Sequence, residues 1–172
     1  FASGSGITPI ISIIKTTLAQ EPRSKFFLIY GNKNESSVIF REKIADLKNI
    51  YLKRFFPYNI FSREHRNIEL FNGRIDRKKI TEFSKTLIPI DKINDAFVCG
   101  PATMIDDATK SLLDLGFPRG NIHSERFGIP PSEANAGLGN AISKEATVTL
   151  IIDGDKKQFT FPRNAESILE SA

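Results

Sequence analysis

The hydrophobic pattern alternates between helical spacing and short continuous runs. Apolar residues recur at helical spacing from Ile7 to about Gln20, where Pro22 ends the run. Phe26–Tyr30 and Ala96–Cys99 are short apolar runs, which are typical of strands buried on both faces of a parallel sheet. The first part of the chain therefore predicts an α/β fold.

A second amphipathic stretch covers residues 35–47, and its spacing predicts a helix. The residues expected to face inward there are Val38, Ile39, Ile44 and Leu47. Asp76 is a suitable N-cap for the next helix, and Gly116 is a suitable stop for the one after it. These two helices are predicted at 77–86 and 102–115, and further strands at 51–56 and 122–127.

Strands that alternate with helices predict a doubly wound parallel sheet of five strands with right-handed crossovers. In the strand order 3-2-1-4-5 the first strand lies at the centre. Only Phe1–Ser3 precede the first glycine-containing turn, so we expect the sheet to lack most of its first strand. That expectation implies a gap between two buried strands and an N-terminally truncated domain.

The composition changes at Gly128, and we predict three parts: a domain at 1–127, a linker at 128–143 and a further domain that starts at 144–172. Residues 146–152 and 157–161 predict two strands, and Asp153-Gly154 between them is a strong hairpin signal. A helix is predicted to begin at Ala165. A hairpin with part of a helix is too small to bury its own core, so we interpret this tail as the beginning of a second domain.

Bulk composition restricts the function only coarsely. The chain has 172 residues, one cysteine and a net charge of +4, without a long basic block. A single cysteine excludes an internal disulfide framework and fits a cytoplasmic protein. No apolar run is long enough to span a bilayer, so we expect no membrane association. His65 and His123 lack a ligand cluster, so we expect no metal site. The basic residues are distributed along the chain and tryptophan is absent, so we expect no nucleic-acid partner.

The segment Gly4–Pro9 is the first candidate for binding chemistry. Its two glycines permit a tight turn and a close approach of the backbone, and Pro9 suits the first turn of a helix. The free N–H groups and the dipole at such a helix end favour a phosphate. The segment departs from the dinucleotide fingerprint because Pro9 replaces its third glycine, so an ordinary strand-to-helix turn remains an alternative.

Three further segments follow predicted strands, namely Gly31–Lys33, Ser62–Glu64 and Cys99–Pro101. Ligands of doubly wound sheets bind at the carboxyl ends of the strands. Because all these segments and Gly4–Pro9 fall at that edge, we expect one extended binding site there.

In order and spacing these motifs resemble the nucleotide-binding half of the ferredoxin–NADP reductase superfamily, and most of all the reductase components of phenylacetyl-CoA oxygenase (epoxidase) systems. Phe71–Ile75 resembles a sequence typical of that subgroup, and Glu125–Phe127 resembles its short terminal strand. The resemblance covers essentially the whole chain. It implies a ferredoxin reductase-like NADP-binding domain, followed by the first hairpin and helix of a ferredoxin-like (β-grasp) domain.

The resemblance also implies a role for each segment. Gly4–Pro9 would hold the pyrophosphate, with Thr8 facing the cofactor, and Ser62 with Arg63 would contact the adenosine 2′-phosphate. Cys99 and Glu125 are the candidate catalytic residues beside the reacting rings. The candidate cofactor-binding residues are Gly4, Ser5, Gly6, Ile7, Thr8, Pro9, Gly31, Asn32, Lys33, Ser62, Arg63, Arg74, Gly100, Pro101, Met104 and Phe127.

Each of these roles has a structural alternative. Ser62 and Arg63 also fit a solvated loop, and Lys33 and Arg74 also fit an ordinary surface. Cys99 also fits a buried core position, because free cysteine is among the most buried residue types. The arginine-bearing segment favours NADPH, while Glu35 leaves NADH as an alternative.

For the parent protein the resemblance implies FAD, a 2Fe–2S cluster and an oxygenase that accepts the electrons. A flavin-binding barrel would precede Phe1, and four cluster-binding cysteines would follow Ala172, so this chain is expected to hold only the pyridine nucleotide. The organic substrate would belong to phenylacetate degradation. The alternatives are the reductase of another oxygenase, a flavohaemoglobin, and a non-catalytic α/β binding module.

Overall fold

The computed structural model describes residues 1–126, 145–152 and 155–162. Its main sheet has five parallel strands in the order β3-β2-β1-β4-β5, which confirms the predicted doubly wound α/β fold. The strands are β1 (Ala2–Ser3), β2 (Phe26–Asn32), β3 (Phe55–Phe61), β4 (Ala96–Cys99) and β5 (Ile122–Glu125). The helices are α1 (Ile7–Gln20), α2 (Arg41–Ile50), α3 (Arg77–Thr86) and α4 (Ala102–Asp114).

Two apolar clusters cover the two faces of this sheet. On one face α1 and α2 pack against Leu28 and Tyr30 of β2, and on the other face α3 and α4 pack against Ile29. Because successive strand residues point to opposite faces, a run of consecutive apolar residues in β2 serves both clusters. This is why the continuous apolar runs predict the central strands well.

The first strand is short and lies at the centre, as predicted. Ala2 lies opposite Tyr30 of β2 and Cys99 of β4, and Ser3 lies opposite Gly31. A cavity of about 760 Å³ is lined by the first residues of β2 and β4, among others.

The second helix begins six residues later than predicted, at Arg41 rather than at residue 35. Glu35–Ser37 form a separate 3-10 turn, because the Asn34 side chain accepts a hydrogen bond from the Ser37 backbone N–H and closes the turn locally. Phe40 precedes α2 with a positive φ of 59°, which breaks the helical path. The prediction that Ile39 faces inward is wrong, since 38% of this residue is exposed.

The third strand begins later in the chain than predicted. Tyr51 to Arg54 form a turn, and β3 runs instead from Phe55 to Phe61. Pro57 lies within β3, which is possible because β3 is an edge strand, where the missing N–H of proline costs no ladder hydrogen bond.

The other elements agree with the predictions to within two residues. The tail forms an antiparallel hairpin of β6 (Glu145–Ile152) and β7 (Asp155–Pro162). The predicted turn at Asp153-Gly154, the linker at 128–143 and the helix from Ala165 lie outside the described residues. Within the described ranges, no helix has the length and apolar character that crossing a membrane requires.

Candidate functional site

The segment Gly4–Gly6 forms a 3-10 turn that joins β1 to α1. Gly4 has a φ of 54°, which favours glycine, and space around it is open. Gly6 is required for a different reason: a Cβ there would overlap the carbonyl group of Cys99 and lie 2.8 Å from the Gly100 backbone nitrogen. The turn therefore packs directly against the Cys99–Gly100 peptide.

The amino end of α1 is open to an anion. Its N-cap residue, Gly6, supplies no capping side chain, and its first turn contains no acidic residue. The Thr8 hydroxyl donates a hydrogen bond to the Ser5 carbonyl at 3.0 Å and fixes the turn. The helix dipole and the orphan N–H groups of a 14-residue helix make this end attractive to a phosphate.

Ile7 has a different place from the other residues of the segment. Its side chain is fully buried in the core, and its backbone N–H donates to the Gly4 and Ser5 carbonyls. Ile7 therefore stabilises the turn from the core side, and its side chain does not face a ligand.

Tyr30 is a positioning residue that is not among the predicted site residues. Its hydroxyl donates a hydrogen bond to the Gly4 carbonyl at 3.0 Å, while the rest of the side chain is completely buried. Burial raises the pKa of the Tyr30 phenol, so the group stays protonated and keeps its donor. The feature of the sequence that could have indicated this role is a hydroxyl-bearing residue next to Gly31, at the end of an apolar strand.

Replacing Tyr30 with phenylalanine tests this support. We expect the free energy of unfolding to fall by about 1 kcal/mol, because one hydrogen bond is lost without a change of packing. The hydrogen bond restrains Gly4, so affinity for a phosphate-bearing ligand should fall as well. Chemical denaturation and ligand titration of Y30F measure both. A variant with unchanged stability and unchanged affinity would contradict the role of Tyr30.

At the end of β2 the backbone lies close to its neighbours. A Cβ on Gly31 would be 3.1 Å from the Ile75 Cδ1 and 3.5 Å from the Ser3 Oγ, so glycine suits this position. Asn32 follows and is only 9% exposed. Within the part of the chain that the structure describes, its Nδ2 has no hydrogen-bond partner. This nitrogen is itself buried, so the Asn32 side chain belongs to the interior of the fold at the end of β2.

The segments that follow β2 and β3 are paired through their backbones. The Ser62 N–H donates to the Asn32 carbonyl at 3.0 Å, and the Arg63 N–H donates to the Lys33 carbonyl at 2.8 Å. The segment with Arg74 joins the same edge, because the Gly73 N–H donates to the carbonyl of Phe61, the last residue of β3.

Three cations consequently stand at this part of the edge. Lys33, Arg63 and Arg74 are all exposed, and among the described residues none of them makes an ion pair. Neighbouring strands are about 5 Å apart, so the end of β3 lies only about 10 Å from the glycine turn after β1. The carboxyl edge of the sheet thus has a possible phosphate-binding turn at its centre, after β1, and exposed positive charge on one side, after β2 and β3.

Glu35 does not offer a free carboxylate there. It is paired with Arg66 at 2.8 Å and with Arg41 at 3.2 Å. The hydrogen bond and the charge of Arg66 lower the pKa of Glu35, so this carboxylate is ionised and already engaged. These three residues line part of a cavity of about 450 Å³ beside β3.

The opposite side of the glycine turn is formed by the end of β4. Cys99 is fully buried, and burial raises the pKa of its thiol, which argues against a nucleophile. In this arrangement a ligand reaches Cys99 only through its backbone, so its contact with a nicotinamide stays a prediction. Glu125 lies opposite Cys99 in the β4–β5 pairing and is exposed, so the structure does bring the two candidate catalytic residues together.

Gly100, Pro101 and Met104 complete this side. Pro101 is exposed, whereas Met104 is buried, and a Cβ on Gly100 would be 2.8 Å from the Met104 Cε. Met104 therefore packs beneath Gly100 and has no exposed surface of note for a ligand. Phe127 lies outside the described residues. Within the described ranges, no three His, Cys, Asp or Glu side chains are grouped as a metal would require.

Taken as a whole, the edge fits an elongated ligand with at least two phosphate positions. One position is the turn before α1, and the other is the exposed cation group of Lys33, Arg63 and Arg74.

Comparison with known proteins gives a consistent result. The family model for the oxidoreductase NAD-binding domain matches residues 1–110. The chain is 43% identical over 171 residues to a component of the 1,2-phenylacetyl-CoA epoxidase of Escherichia coli, covering 99% of this chain and 48% of that protein. It is 31% identical over 169 residues to the ferredoxin reductase component of the Rhodococcus rhodochrous 3-ketosteroid-9-alpha-monooxygenase, covering 95% of this chain and 45% of the relative.

Among solved structures, the CS-b5R domains of human Ncb5or in the NAD⁺ form superpose with a TM-score of 0.60 at 29% identity. The match covers 72% of this chain and 34% of the human chain. The chain spans about half the length of the two curated relatives, at 48% and 45%.

Proposed function

The chain belongs to the oxidoreductase NAD-binding domain family, in the ferredoxin–NADP reductase-like superfamily, and from this membership we propose that it binds NADPH for an electron-transfer reductase. The observation that supports NADPH most directly is the exposed group of Lys33, Arg63 and Arg74 beside the phosphate turn, none of which is in an ion pair with another described residue. A 2′-phosphate distinguishes NADPH from NADH, and an arginine fork binds phosphate well.

We assign each part of NADPH to the segments that follow successive strands of the sheet. The turn at Gly4–Gly6 and the amino end of α1 bind the pyrophosphate, and the segment Gly31–Lys33 flanks the adenosine. Ser62 and Arg63 contact the 2′-phosphate. On the other side of the turn, the backbone of Gly100 and Pro101 and the carboxylate of Glu125 orient the nicotinamide.

NADPH supplies a hydride when it is bound, and the chain contributes position and electrostatics. Gly6 lets the pyrophosphate turn and the Cys99–Gly100 peptide approach each other. In this proposal the two ends of the nucleotide lie on either side of β1, one beside β2 and β3 and the other beside β4 and β5. The exposed Glu125 carboxylate adds negative charge beside the position of the ring, which favours a positively charged nicotinamide.

For the whole protein we propose a cytoplasmic reductase that uses FAD and a 2Fe–2S cluster and passes electrons to an oxygenase. The likeness to an epoxidase component and to a monooxygenase reductase supports this role. The hairpin β6–β7 fits the start of a ferredoxin-type domain at 144–172, after an NADPH-binding domain at 1–127 and a linker at 128–143. We propose phenylacetate degradation as the process, on the likeness to one relative, and the reductase of another oxygenase as the alternative.

Calorimetric titration of the chain with NADP⁺ and with NAD⁺ tests the nucleotide proposal. We expect NADP⁺ to bind at least about tenfold more tightly, because the charge-assisted contacts to the 2′-phosphate are lost with NAD⁺. The preference should shrink at high salt, because exposed charges are screened. Binding of NAD⁺ at least as tight as that of NADP⁺, at low salt, would contradict the proposal.

A further inference from the structure

We propose that Arg66 is a positioning residue that fixes the 2′-phosphate-binding segments, and that NADPH preference depends on it. This inference rests on the proposed function and deepens it. Arg66 follows Arg63 by three residues but is itself engaged in ion pairs, so it is distinct from the free cations described above.

The Arg66 side chain joins two loops that would flank the adenosine. Its Nη2 donates to the Glu35 Oε2 at 2.8 Å and contacts the Glu64 Oε1 at 2.9 Å. The other carboxylate oxygen of Glu64 accepts a hydrogen bond from the Glu35 backbone N–H at 2.9 Å. The Arg66 Nη2 and the Glu64 carboxylate thereby form a closed ring of contacts with Glu35, which links the loop after β2 to the loop after β3.

The Arg66 backbone joins a third segment to the same ring of contacts. Its N–H donates to the Asn72 Oδ1 at 2.7 Å, and its carbonyl accepts from the Asn72 Nδ2 at 2.8 Å. Asn72 immediately precedes Gly73-Arg74, so this pair of hydrogen bonds anchors the segment that carries the Arg74 cation. The guanidinium also lies over the Phe61 ring, 4.6 Å from its centroid, which fixes its plane.

Arg66 thus adds further links to the backbone hydrogen bonds that already join the three segments with Lys33, Arg63 and Arg74. Each of these cations is on an exposed loop. If the loop must become ordered when the nucleotide binds, the entropy lost in ordering it weakens the affinity for the nucleotide. A network of several partners can order such a loop even though single surface ion pairs contribute little. Preordering of the cations should favour the 2′-phosphate specifically, because the pyrophosphate is bound elsewhere.

Arg41 offers a matched control for the charge. It is paired with Glu35 at 3.2 Å, as Arg66 is, but it lies in α2 and contacts neither Glu64 nor Asn72. R41M and R66M therefore remove the same charge from the same cluster. Both variants keep the backbone hydrogen bonds between the loops, and only R66M removes the guanidinium that links Glu35 to the loop after β3.

The experiment compares the binding of NADP⁺ and NAD⁺ to the unaltered chain, R41M and R66M at one salt concentration, with thermal melting of each protein. We expect R66M to weaken NADP⁺ binding about tenfold and NAD⁺ binding less than about twofold, whereas R41M changes each by less than about threefold. NAD⁺ binding is the internal control, because a variant that has lost its fold would lose both nucleotides.

Two results would overturn the inference while leaving the proposed function intact. One is an unaltered NADP⁺ preference in R66M, and the other is an equal loss of preference in R41M and R66M, which would show a charge effect without positioning. If the unaltered chain binds neither nucleotide, or prefers NAD⁺, the proposed function itself fails and the inference fails with it.

Discussion

An alanine at position 6 is expected to abolish tight NADPH binding and to destabilise the fold. The added Cβ would overlap the Cys99 carbonyl and lie 2.8 Å from the Gly100 nitrogen, both of which are backbone atoms in or beside the central sheet. Backbone atoms cannot rotate away as a flexible side chain does, so the turn and the end of β4 must move apart. We expect a loss of about 1–3 kcal/mol in the free energy of unfolding and more than a tenfold loss of affinity.

Two other glycines serve as controls for this substitution. Gly120 has open space around it and no positive φ, so G120A should change neither stability nor affinity appreciably. Gly4 has open space but a φ of 54°, so G4A should cost about 1 kcal/mol through backbone strain alone. Denaturation curves and nucleotide titrations of the three variants separate these causes. G6A with the behaviour of G120A would contradict the close packing of the turn against β4.

Replacing Arg63 with alanine is expected to have the largest effect on nucleotide choice. The side chain is exposed and makes no ion pair among the described residues, so its removal leaves no buried group unsatisfied and should not alter stability. A charge-assisted contact is worth about 1.5–3 kcal/mol, which corresponds to an affinity loss for NADPH of about 10- to 100-fold. NADH lacks the 2′-phosphate and should bind almost unchanged.

Arg119 provides the matched control for Arg63. It is exposed and lies just before β5, at the amino end of the strands, whereas Arg63 lies at the carboxyl end. R119A removes the same charge from the other edge of the sheet and should leave both nucleotide affinities within about twofold. Similar losses in R63A and R119A would indicate a general effect of net charge instead of a 2′-phosphate contact.

The elements that could be predicted from the sequence are those with an unambiguous period or cap. The bounds of α1 and α3 agree with the prediction, because Pro22 stops the first and Asp76 caps the second by accepting a hydrogen bond from the Lys79 N–H. The continuation of β3 beyond Phe56 could not be predicted, because a strand tolerates Pro57 only where it lies at the edge of the sheet. Edge position is a property of the whole topology.

In the candidate site, too, some residues could be predicted from the sequence and others could not. Glycines and exposed cations could be assigned from motifs, since their placement at the carboxyl edge follows from the strand order. The residues that position these glycines and cations could not be assigned from motifs. Tyr30 contacts Gly4 from another strand, and Arg66 contacts Glu35 across 31 positions of sequence. Sequence alone also could not show that Met104 packs beneath Gly100 or that Glu35 is engaged by arginines.

The central claim is that one NADPH lies across the carboxyl edge of the sheet, and amide NMR shifts during titration with NADP⁺ test it most directly. We predict saturable shifts at Ser5 and Gly6, at Ser62 and Arg63, and at Gly100, with the Ser62 and Arg63 shifts much reduced when NAD⁺ replaces NADP⁺. Saturable shifts confined to the amino edge around Arg119, or no saturable shift at all, would contradict the account.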